Sequence, residues 1–194
     1  MLKFIKEYIR NKTLRNKSVQ TNATFVNLRD IRSIGFLYNI SSPNFLEELK
    51  NIAVFLDKQG ILYWGLAIET KKGFLPQMET ADDMPDFLRE LEENQISFVE
   101  RLHLDWLGIP NSEKIDNFLK RDFDLFISLN NTGDFTLEYI IRDVKAKLIV
   151  GMQNIPGSRY TLVLEGENKA TLGYTDYLQQ VFHYLHVIKS NKAI

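Results

Sequence analysis

The residues with chemistry to offer stand in short, separated stretches. Asn39, Ser41 and Ser42 follow one apolar run, Asp105 sits beside Trp106, and Asn130, Asn131 and Thr132 follow a second apolar run. Open α/β sheets bind ligands at the carboxyl ends of their strands. Amides, hydroxyls and a carboxylate there suit a nucleotide or a sugar-phosphate. A different chemistry crowds the N-terminus, where Lys3, Lys6, Arg10, Lys12, Arg15 and Lys17 face only Glu7. Such a segment attracts an acidic protein surface, RNA or an anionic membrane.

Each stretch has a plainer reading. Ser41 and Ser42 precede Pro43, so they serve as caps of a helix as readily as they bind an anion. Asp134 caps whatever follows the Asn130–Gly133 turn. Asp122-Phe-Asp124 has the form of a metal-holding pair, but it precedes and begins a strand instead of ending one. His183 and His186 share a helix face, yet no H-E-x-x-H pattern supplies the rest of a zinc site. No G-x-G-x-x-G or G-x-x-x-x-G-K-[ST] loop is present, and no cysteine is available as nucleophile or ligand. No catalytic residue, metal or cofactor is therefore expected.

The elements that must position these residues are readable. Leu2, Ile5, Tyr8 and Ile9 recur at helical spacing over 2–16, with most cations on other faces. A polar linker is expected over 17–22 and a single α/β domain over 23–194. Strands are expected at 33–39, 61–68, 96–104, 123–129, 146–150 and 160–164. Helices are expected at 44–59, 85–93, 112–120, 135–145 and 172–188, with a long loop over 69–84. Ile61–Ile68 is apolar on both faces, as a buried parallel strand would be. Alternating strands and helices predict a three-layer Rossmann-like or flavodoxin-like sheet, mostly parallel, behind an N-terminal amphipathic helix.

Several of these stretches resemble an uncharacterised family of small bacterial α/β proteins. The similarity runs through Arg32-Ser-Ile-Gly-Phe-Leu-Tyr38, Leu104-Asp-Trp-Leu-Gly-Ile-Pro110, Phe123–Leu129, Ala146–Gly151 and Gln180–Leu185. It implies a one-domain fold and brings no activity. Members end their first and central strands near an Asp. This chain has Asn39 and an Asp124 inside the strand, which argues against an acidic catalytic residue at either place. A looser likeness, to the N-terminal half of two-domain glycosyltransferases, is an analogy of fold only.

Bulk composition limits the classes that remain. The chain has 194 residues, 44% of them hydrophobic, and a formal net charge of −1, which suits one globular domain. Its longest apolar run, Ile61–Ile68, is well short of the about 18 residues a membrane span needs. Charges at Lys3, Lys6, Glu7 and Arg10 interrupt any signal-peptide core, so a cytoplasmic protein is expected. Glu79, Asp82, Asp83, Asp86, Glu90, Glu92 and Glu93 form an acidic segment opposite in sign to the N-terminal helix. The expected function is a non-enzymatic binding or adaptor module that uses residues 1–17 on a protein partner. The alternative is a nucleotide or sugar-phosphate enzyme or sensor using the strand ends.

Overall fold

A computed structural model describes residues 2–17, 24–71, 73–75, 85–165 and 173–187. The strands are β1 (Ser33–Asn39), β2 (Leu62–Ile68), β3 (Ile96–Val99), β4 (Asp122–Leu129), β5 (Lys145–Gly151) and β6 (Leu162–Val163). The α-helices are α1 (Leu2–Asn16), α2 (Phe45–Gln59), α3 (Asp86–Glu93), α4 (Glu113–Leu119), α5 (Phe135–Ile141) and α6 (Tyr174–Val187). The six strands form one sheet in the order β3-β2-β1-β4-β5-β6, and every pairing is parallel. This is the Rossmann order. The direction of winding reverses between β1 and β4, whose register pairs Tyr38 with Leu129. Asn39 and Asn130 therefore flank the crevice at the switch point.

Both faces of the sheet are covered, which is why β1 and β2 lack a polar side. Phe36, Tyr38 and Ile127 meet Leu49 and Ile52 of α2 and Val181 and Leu185 of α6 on one face. Leu37, Leu66 and Phe126 meet Phe118 of α4 and Ile140 and Ile141 of α5 on the other. Each such side chain contributes about 1.5–3 kcal/mol by leaving water. In α2 the inner stripe is Phe45, Leu49, Ile52, Ala53 and Leu56, and the helix stops at Gly60, whose φ of 65° closes the last turn.

Three elements are shorter than their apolar patterns predict. β3 leaves the sheet after Val99, and the chain turns through a 3₁₀ helix at Arg101–His103. α5 ends at Ile141 because β5 already begins at Lys145. β6 keeps two residues of the expected 160–164 strand. The expected linker, long loop and last-helix ends fall partly outside the described residues, at 18–23, 72, 76–84, 166–172 and 188. Among the described residues no helix is long and apolar enough to cross a membrane.

Candidate docking interface

Helix α1 lies outside the sheet and packs on α5 and on the loop after β3. The covered side chains are Lys6, Ile9, Arg10, Thr13, Leu14 and Lys17, spaced three and four apart along one face. Two cations make the decisive contacts. Arg10 Nε donates to the Leu107 carbonyl at 2.6 Å, and its guanidinium lies 4.7 Å from the Phe135 ring centre. Lys17 Nζ sits 3.4 Å from the Tyr139 ring centre, donates to the Tyr139 carbonyl at 3.3 Å, and pairs with Asp143. Burial first, then the charges of Arg10 and Arg101, push the Lys6 ammonium below its usual range.

The receiving loop is shaped for this contact. Gly108 has φ 90°, and a Cβ there would sit 2.8 Å from Thr136 Oγ1 and 2.9 Å from Arg10 Nη2. Glycine both adopts the turn and lets the helix approach. Thr136 Oγ1 donates to the Gly108 carbonyl at 2.8 Å, fastening the loop to α5.

The packing splits the expected apolar stripe, covering Ile9 and leaving Ile5 and Tyr8 outside. Phe4, Ile5 and Tyr8 face solvent, with 76%, 48% and 68% of their surface exposed. Lys3, Lys12 and Arg15 are exposed beside them. Lys6, Arg10 and Lys17, expected to reach a partner, instead hold α1 to its own body. In the acidic segment Glu90 pairs with Lys50 and Glu92 with Lys114, while Glu79, Asp82 and Asp83 lie outside the described residues.

The strand-end residues are engaged within the fold. Asn39 is buried and its Oδ1 accepts from Thr70 Oγ1 at 3.0 Å. Ser41 Oγ donates to the Asn39 carbonyl at 3.4 Å, and Ser42 Oγ accepts from the Asn44 N–H at 3.0 Å. Asp105 Oδ1 accepts from the Ile109 N–H at 2.7 Å and closes a tight turn. Asn131 and Thr132 are exposed, whereas Asn130 is fully buried. Its Oδ1 accepts from the Thr132 N–H and Oγ1, each at 3.2 Å, and its Nδ2 donates to Glu138 Oε1 at 3.2 Å. Asp134 accepts from the Thr136 N–H at 2.8 Å as the cap of α5.

Glu138 was not visible as a special residue in the sequence. It is buried, and Tyr160 also donates to its Oε1, at 2.7 Å, while Tyr160 and Ser128 hydroxyls lie 3.1 Å apart. Burial raises the Glu138 carboxyl above its usual range, against the donors Tyr160 and Asn130, which favour the charge. Glu69 is a second unforeseen buried carboxylate, with Oε1 accepting from the N–H groups of Gly73, Phe74 and Leu75 at 2.7–2.9 Å. These groups order loops. Asp124 likewise ties strands, accepting from the Arg32 N–H at 2.8 Å and from Lys147 at 2.7 Å. His183 and His186 are exposed on α6. Among the described residues no group of three or more His, Cys, Asp or Glu is arranged to hold a metal.

A family model matches residues 2–188. The chain belongs to DUF6913, a family of unknown function. No curated protein matches it. The matched residues include α1 with Phe4, Ile5 and Tyr8.

Proposed function

We propose that this DUF6913 protein is a non-enzymatic binding module that docks through the outward face of α1. One observation carries the reading: Phe4, Ile5 and Tyr8 stay exposed while Ile9 and Leu14 are half-buried against the body. Large apolar side chains ringed by charge are the anatomy of an interface, with an anchoring centre and a wet rim. Lys3, Lys12 and Arg15 supply the rim and favour an anionic partner. Most polar groups at the strand ends are hydrogen-bonded within the fold, largely inside their own loops, so they support a scaffold role more than a reacting centre.

The test is the native size of the protein in extracts of its own cells. The wild type is expected to migrate in a species heavier than the 22.6 kDa chain, and Phe4→Asp/Tyr8→Asp to migrate as the free chain. Both substitutions are at exposed positions and leave the fold intact. Identical migration of the two proteins would refute docking through this face.

A further inference from the structure

A second exposed apolar element stands next to α1, on the loop after β3. Leu102 and Trp106 are 63% and 61% exposed. The loop that presents them is rigid. Leu104 bridges Pro110, the Asp105 N–H donates to the Ile109 carbonyl at 2.9 Å, and the Gly108 N–H donates to the Asp105 carbonyl at 2.9 Å. Leu107 is tucked in while its neighbour Trp106 projects. The Arg10–Leu107 bond at 2.6 Å fixes this loop to the middle of α1. Away from the contact with the body, the two elements carry Lys3, Lys12 and Arg15, with Arg101 half-buried, against Glu7 and Asp105.

We infer that the surface formed by α1 and the 101–108 loop binds an anionic lipid bilayer, with Phe4, Ile5, Tyr8, Leu102 and Trp106 entering the interfacial layer. The inference rests on the docking reading and names its partner. Charge complementarity selects an anionic occupant. Tryptophan and tyrosine favour the headgroup level, and lysine and arginine reach phosphates from there. Helix α1 is also held to the body by cations and rings, which leaves Phe4, Ile5 and Tyr8 free for lipid.

The full chain is sedimented with vesicles of phosphatidylcholine, with or without phosphatidylglycerol. Binding to the anionic vesicles is expected, with little to neutral ones and less as salt rises. Lys12→Glu/Arg15→Glu is expected to weaken binding by roughly thirtyfold or more, since each cation near such a surface contributes about fivefold. Phe4→Asp/Tyr8→Asp and, separately, Trp106→Asp are expected to abolish it while circular dichroism stays unchanged. A wild type that ignores anionic vesicles at low salt overturns the inference. So does binding that survives the apolar substitutions. If vesicles fail but a photo-crosslinker at Tyr8 captures one protein in cells, the lipid assignment falls and the docking reading stands. If both fail, both fall.

Discussion

Replacing Glu138 by Leu removes the acceptor that Asn130 and Tyr160 share. Asn130 is fully buried, so its Nδ2 is left without a partner, which costs about 1–3 kcal/mol. Tyr160 keeps Ser128 at 3.1 Å and loses nearer one net hydrogen bond, about 0.5–1.5 kcal/mol. Together these lower Tm by roughly 3–18 °C, at about 2–4 °C per kcal/mol for a chain of this size. Glu138→Gln keeps an oxygen for both donors and drops the charge that burial disfavours. The pH dependence separates the two effects. A carboxyl raised on folding stabilises fully below its unfolded value, and that contribution is lost as pH rises through the folded value. Tm of Glu138→Gln relative to wild type should therefore climb from about pH 4 toward neutrality. Calorimetry of the three proteins across that range decides it. Equal stability of the Leu and Gln variants would refute the reasoning, as would a difference that moves the other way with pH.

Asp124 should behave in the opposite sense. Burial alone would raise its carboxyl, but Lys147 and the N–H groups of Arg32 and Ser33 outweigh that and lower it. Its stabilisation is present above the unfolded value and is lost as pH falls through the lowered one. Asp124→Asn should thus cost about 1–3 kcal/mol at neutral pH in denaturant titrations and converge on wild type in acid. Gly151→Ala should destabilise by about 1–3 kcal/mol, because the new methyl would stand 2.6 Å from the Tyr160 ring; a neutral melting curve would count against the packing described. Arg10→Ala should speed amide exchange throughout α1 while exchange in the sheet is unchanged. Global stability should move by less than about 1 kcal/mol, since the lost contacts are partly exposed.

The layers of the fold were legible where pattern and punctuation agreed. Phe123–Leu129 reads as a buried strand, and Gly60 ends α2 where a left-handed residue is needed. Leu102 and Leu104 extended the apparent third strand because their apolar type carries no record of where the backbone leaves the sheet. One turns out to be an exposed loop side chain, and the other forms an isolated bridge. The strand order needs long-range pairing that no local pattern contains. Glu138 was hidden for a related reason. On α5, Phe135, Thr136, Leu137, Glu138, Ile140 and Ile141 are all buried, and a helix buried nearly all round takes its polar residues inside with it. Only the Asn130 turn hinted at a waiting donor. For α1, periodicity grouped Ile5, Tyr8 and Ile9, but of these three the body covers only Ile9. The surface under it offers the rings of Phe135 and Tyr139 and the carboxylate of Asp143, which suit cations better than they suit Ile5 or Tyr8.

The docking account depends most directly on the exposure of Phe4, Ile5 and Tyr8, and the absence of cysteine from the chain makes it easy to measure. Single cysteines at Tyr8 and Leu14 can be timed against a maleimide in the free protein. Tyr8→Cys should react nearly as fast as an unfolded control, and Leu14→Cys should be clearly slower. A slow Tyr8→Cys beside a fast Leu14→Cys would place Tyr8 against the body and contradict the account.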